Sequence, residues 1–235
     1  MAASLPTGWS HSKLARSYGG GLACCRPGVE RASLLSAGPL PQSGVAYFEI
    51  LVIATGRKNT LSIGMSLPGL NPKRPPGWER ASFAYFGDGK AYSGSASGVV
   101  FSQVFAAGDT LGCGVNFGAR EIFFTRNRVH LGSPQGFKLP GGAVKAAAAA
   151  ADGSAGSGSG PAGPSGKQAL WHAALGLGDG DVVSANFGQQ TFAFNIRDSR
   201  LLQASGLGGG GFGTGSSSQQ NPPPPSHYAW QGAGS

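Results

Sequence analysis

Carboxylates are scarce in this 235-residue sequence: ten Asp and Glu stand against eighteen Lys and Arg, and the four types together make only 12% of the chain. So sparse a charge set excludes coiled coils and long charge-paired helices, which need Glu, Lys, Arg and Leu at heptad spacing. The net charge of +8 reflects missing acids rather than a basic arm, because the densest cationic groups are only Arg57-Lys58, Lys73-Arg74 and Arg126 with Arg128. A diffuse surplus of this kind attracts polyanions or acidic partners without sequence readout, which argues against nucleic acid as the main partner.

Cysteine is also rare. Cys24, Cys25 and Cys113 are an odd number, and the adjacent pair would point to opposite faces of a strand, so no disulfide framework is expected and a reducing compartment, cytoplasmic or nuclear, is. Long apolar runs are lacking: residues 45–54 contain Glu49 and reach roughly half the length of a bilayer-spanning helix, so no membrane partner is expected. Residues 1–16 hold no apolar stretch followed by a small-residue cleavage site, and no secretion signal is expected.

Chemistry-bearing motifs are missing as well. His11, His130, His172 and His227 show no paired spacing and the cysteines no CxxC, so no metal site is expected. The nearest approach to a phosphate loop, residues 160–167, has the wrong spacing and is followed by Gln168. Cys113, in an alternating run, reads as a buried structural thiol, and Asp179 and Asp181, flanked by Gly178 and Gly180, read as an exposed turn feeding a strand. No catalytic residue and no cofactor follow from this sequence.

What is abundant is glycine, at 42 residues, with 16 prolines. Residues 141–166 contain no aromatic side chain, bury too little to offset their ordering entropy, and are expected to be a disordered insert; the alanines at 146–151 are too few to hold a helix alone. Residues 203–235 read as a disordered tail in which Pro222 to Pro225 favour a short polyproline II segment. The folded unit is expected over 1–202, with its core near 44–199.

Between these segments lie short β-branched or aromatic runs at 46–54, 60–66, 82–86, 110–117, 120–125, 171–177, 181–187 and 191–196, with a tight connection expected at 116–119. No amphipathic helix of useful length is present. The economical fold is all-β, two stacked antiparallel sheets.

Seven ordered motifs then carry a resemblance: Tyr47-Phe48-Glu49-Ile50, Ile63-Gly64-Met65-Ser66, Pro76-Gly77-Trp78, Tyr85-Phe86-Gly87-Asp88-Gly89, Gly108-Asp109-Thr110-Leu111-Gly112-Cys113-Gly114, Ile122-Phe123-Phe124-Thr125-Arg126-Asn127 and Asn186-Phe187-Gly188-Gln189. Together with Leu5-Pro6 and Trp9-Ser10 at the entry and 192–196 at the exit, they closely resemble the SPRY domain, and within it the Ran-binding protein M group. The resemblance covers roughly 5–200 apart from the insert. It implies a bent antiparallel β-sandwich of the concanavalin-like kind. It also implies a non-enzymatic module that binds a short linear motif of another protein through loops at one edge, often as an adaptor or scaffold and often linked to a ubiquitin ligase assembly. The group's usual downstream helical assembly modules are not expected in this sequence, where a low-complexity tail follows instead.

Carried over by position, the resemblance places the peptide-binding loops at Gly38, Pro39, Leu40 and Pro41, at Ser66 and Leu67, at Tyr85, and at Leu177, Gly178 and Asp179. Arg57-Lys58 and Lys73-Arg74 would border that surface and select acidic peptides. The sequence departs from the group where Arg128 stands in place of the glycine after Asn127, which implies a longer or differently shaped turn, and where Phe86 and the single Asp88 follow Tyr85. The insert is expected to join adjacent strands. Two other readings stay open: a lectin-like or small-ligand sandwich, which several polar side chains around an aromatic platform would favour, and a non-specific polyanion binder, which should lose affinity steeply as salt rises.

Overall fold

The computed structural model describes residues 6–10, 12–140 and 170–197, and over these the chain runs strand after strand. In order they are β1 (Ala15–Ser17), β2 (Leu22–Cys25), β3 (Arg31–Leu35), β4 (Val45–Ala54), β5 (Ser62–Ser66), β6 (Ser82–Phe86), β7 (Lys90–Ser93), β8 (Val99–Val100), β9 (Thr110–Asn116), β10 (Glu121–Arg126), β11 (Val129–Gly132), β12 (His172–Gly178) and β13 (Val182–Asn186). Among the described residues there is no α-helix, only one 3₁₀ turn at Gly19–Gly21.

Two sheets form, ordered β1-β2-β13-β4-β9-β10-β11 and β3-β12-β5-β6-β7-β8. Every neighbouring pair is antiparallel. The period-two pattern of β4 explains their stacking: Phe48, Ile50 and Val52 turn inward and are buried, joined by Leu111, Val115, Ile122 and Phe124 from β9 and β10. Ile63, Met65, Phe83, Tyr85, Leu175 and Leu177 meet them from the other sheet. Side chains of this size each contribute about 1.5–3 kcal/mol when fully buried, so this single interface is the fold's main source of stability. The expected all-β sandwich is the observed one.

The last two strands are interior strands of their sheets. β12 lies between β3 and β5, and β13 between β2 and β4.

Several expectations need correction. Residues 191–196 form no strand; they cross the outer face of β4, where the buried Glu49 carboxylate accepts the Ala193 and Phe194 N–H groups at 2.8 Å each and the Tyr47 hydroxyl at 2.9 Å. In the β9–β10 connection the left-handed residue is Arg120 (φ 56°), while Asn116 accepts the Ala119 N–H. The turn after Asn127 is short, not long: Arg126 pairs with Val129, and Asn127 (φ 49°) and Arg128 (φ 71°) are both left-handed, as a two-residue hairpin turn requires. Asp181 is buried, not exposed. β11 and β12, which flank 141–166, belong to different sheets rather than being adjacent. The insert at 141–166 and the tail at 203–235 themselves lie outside the described residues.

Candidate binding site

The sequence-derived site does not come together as one groove. His172, at the start of β12, pairs with Ser66, and Leu40 donates its N–H to the Trp171 carbonyl, so Gly38–Pro41 and Ser66–Leu67 sit at one end of the sandwich. Gly178 ends the same strand and pairs with Arg31. With a rise of about 3.3 Å per residue, Leu177, Gly178 and Asp179 therefore lie roughly 20 Å from the first group. Leu40, Ser66, Leu67 and Leu177 are buried, Gly38, Pro39 and Pro41 partly so, and Asp179 is exposed.

Tyr85 is a core residue. Its side chain is completely buried, with ring centroids of Phe101, Phe105 and Phe124 at 5.4, 5.2 and 5.8 Å, and its hydroxyl donates to the Gln103 carbonyl at 2.6 Å. Inward on β6, it offers no face to a partner. Trp78 instead stacks on the outer side of the six-stranded sheet against Phe86, under the Arg31 guanidinium.

A cavity of about 750 Å³ opens at the Asp179 end. Three loops make it: Gly28 and Glu30 before β3, Thr55 to Lys58 with Thr60 after β4, and Asp179 with Gly180 between β12 and β13. Two of these loops are tied together by one side chain. The buried Asp181 carboxylate accepts the Gly56 N–H on one oxygen and the Gly178 N–H on the other, both at 2.6 Å, tying two loops that are 125 residues apart in sequence. Burial pushes the Asp181 carboxyl up from its ordinary range, and the two N–H donors pull it partly back. Gly56 is needed because a Cβ there would run into the Asp179 carbonyl, and Gly180 because its φ is 89°.

The cavity is lined by glycine, threonine and charged side chains. Lys58 pairs with Glu30 at 2.9 Å, but both side chains are about two-thirds exposed, so solvent screens the pair and it parts readily. Arg57 is exposed and has no ion-pair partner among the described residues. Beneath, the Cys25 thiol donates to the Val29 carbonyl at 3.1 Å and is pushed up to about 11 by burial and by Asp179 and Asp181, so it stays protonated. Cys113 is buried in the core and its thiol is likewise raised by burial. No cluster of three or more His, Cys, Asp or Glu positioned for a metal ion exists among the described residues. Of the sequence-derived set, Asp179 lines this cavity, with Arg57-Lys58 beside it; Gly28, Glu30 and Thr60 were not foreseen.

Comparison with known proteins agrees with this architecture. The SPRY domain family matches residues 45–141. Ran-binding protein 9 of Xenopus tropicalis is 31% identical over 194 residues, covering 81% of this chain and 30% of its own length. The Ran-binding protein M homolog of Arabidopsis thaliana is 39% identical over 87 residues, covering 37% of this chain and 19% of its own. The chain thus spans less than a third of the length of these relatives. A crystal structure of a human SPRY domain superposes with a TM-score of 0.57 at 22% identity, covering 76% of this chain and 98% of that one. The SPRY domain of human HERC1 gives 0.51 at 16%, covering 78% and 100%.

Proposed function

The chain is a SPRY-domain protein most like the Ran-binding protein M group, hence a protein-interaction module, and from that premise we propose that it binds a short linear segment of a partner in the loop cavity beside Asp179. The observation that carries this reading is the Asp181 clamp, which ties the Gly56 loop to the β12–β13 turn before any partner arrives, so less ordering entropy is lost on binding. The lining is glycine, threonine and charge, suited to a peptide backbone and its polar side chains. It contains no aromatic platform, the feature that would favour the lectin-like reading. In this proposal the protein acts without catalysis as an adaptor or scaffold of the cytoplasm or nucleus, and a ubiquitin ligase assembly is the class of machinery it would serve. No helix among the described residues is long and apolar enough to cross a membrane.

Selection from a random peptide display library tests the reading, with Arg57→Glu/Asp179→Arg as the counter-target. Peptides of a common motif that bind the native protein and not the variant support it. No enriched motif, or one indifferent to these substitutions, overturns it, and a uniform steep loss of binding with salt would favour the polyanion reading.

A further inference from the structure

Large exposed hydrophobic residues are few among the described residues, and half of the eight are valines at one edge: Val99 (43% exposed), Val100 (86%), Val104 (59%) and Val129 (60%). The edge is where both sheets end. β8 is the outer strand of the six-stranded sheet and β11 that of the seven-stranded sheet. Between them runs a groove of about 610 Å³ lined by Val100, Phe101, Val129 and Leu131, with Gln103, Arg126 and Asn127. Outer strands that carry apolar side chains and no protective charge are templates for another strand, and such a patch on a sandwich marks a docking surface.

The charges around the groove say what it docks. Lys90 stands opposite Val100 and is exposed, and Arg128 precedes Val129 at the tip of the neighbouring turn; neither has an ion-pair partner among the described residues. The nearby carboxylates are committed: Asp109 to Arg126, Asn127 and the Ala106 N–H, and Asp88 to Tyr92 and the Lys90 N–H. A second copy of the chain would bring a second set of the same unpaired cations to the interface and no free carboxylate to meet them. We infer that the β8–β11 edge is a second interaction surface, distinct from the loop cavity, and that its partner is an extended segment of another protein with aliphatic residues flanked by carboxylates, lying along β11 between the two outer strands.

The test titrates the isotopically labelled protein with two capped heptapeptides, Glu-Glu-Val-Ile-Val-Glu-Glu and Lys-Lys-Val-Ile-Val-Lys-Lys, following backbone amide resonances up to millimolar peptide. The acidic peptide is expected to shift the amides of 99–104 and 129–132 but not those of 55–58 or 179–180, and the basic peptide neither. Val100→Asp/Val129→Asp should weaken binding about tenfold or more, as the loss of one or two buried valine contacts predicts. Arg128→Gly, a substitution at an exposed turn, should weaken it a few-fold in a folded protein. No shift at this edge, equal shifts with both peptides, or a concentration-dependent dimer that Val100→Asp dissolves would each overturn the proposal.

Discussion

The hydroxyl of Tyr85 donates to the backbone carbonyl of Gln103 at 2.6 Å, and this bond ties the core of the six-stranded sheet to the segment that covers it. Tyr85→Phe should keep the fold and lose about 0.5–1.5 kcal/mol in denaturant unfolding, with faster amide exchange confined to 101–105. Tyr85→Ala, by contrast, opens a cavity among three phenylalanines and should cost about 3–5 kcal/mol. An interaction lost with the alanine variant therefore reports unfolding unless the phenylalanine variant loses it too.

Arg128 holds a left-handed conformation that glycine adopts freely. Arg128→Gly should raise stability by about 1 kcal/mol, the usual penalty of a left-handed side-chain-bearing residue, seen as a higher unfolding midpoint with an unchanged slope.

Asp109 gives the stability an acid limb. Burial works to raise its carboxyl, but the Ala106 N–H, the Asn127 amide and the Arg126 guanidinium outweigh it and hold the group below the usual range. A carboxyl depressed in the folded state contributes stability above its unfolded value, near 3.9, and loses it as pH falls through the folded value. Unfolding free energy measured from pH 5 downward should decline, and Asp109→Asn should flatten that decline while lowering stability at neutral pH by about 1–3 kcal/mol.

Glu49 is the anchor of the segment beyond β13. Glu49→Ala would leave the Ala193 and Phe194 N–H groups and the Tyr47 hydroxyl without their acceptor. It should destabilise the protein by about 2–5 kcal/mol and release 192–196 to proteolysis before the sheets themselves unfold.

Gly56→Ala should disrupt the loop cavity with modest damage to the core, because the clash falls on the Asp179 carbonyl at the surface. Peptides selected against the native protein should then lose about tenfold or more in affinity, measured calorimetrically, while the aromatic core, followed by near-ultraviolet dichroism, stays intact.

The strands that could be read from sequence were those rich in β-branched or aromatic residues or alternating in character, β4, β6, β9 and β10 among them, because such side chains suit a pleated, buried surface. β1, β2, β3 and β8 are short or built from Ala, Ser and Cys, and only their partners make them strands. The site was harder for a different reason. A buried Tyr and an exposed Tyr look alike until the acceptor of the hydroxyl is known, and here it is a backbone carbonyl 18 residues away. Likewise, nothing local announces that Asp181, between Gly180 and the pair Val182-Val183, reaches Gly56. The residues at 191–196 kept the composition of a strand while serving as a cover, since Glu49 supplies the hydrogen bonds a neighbouring strand would have given.

The interior placement of β12 and β13 fixes an order of events during synthesis. A nascent chain that has emerged as far as β11 can form the β4-β9-β10-β11 and β5-β6-β7-β8 ribbons, but β2 and β3 still lack the neighbours that join them to these ribbons, and both ribbons present bare inner edges. Neither sheet closes until 172–186 leave the ribosome, which at roughly 5–20 residues per second leaves aggregation-prone edges open for seconds. Loss of these fifteen residues would cut β1 and β2 away from one layer and β3 from the other, leaving each four-stranded ribbon with a bare edge.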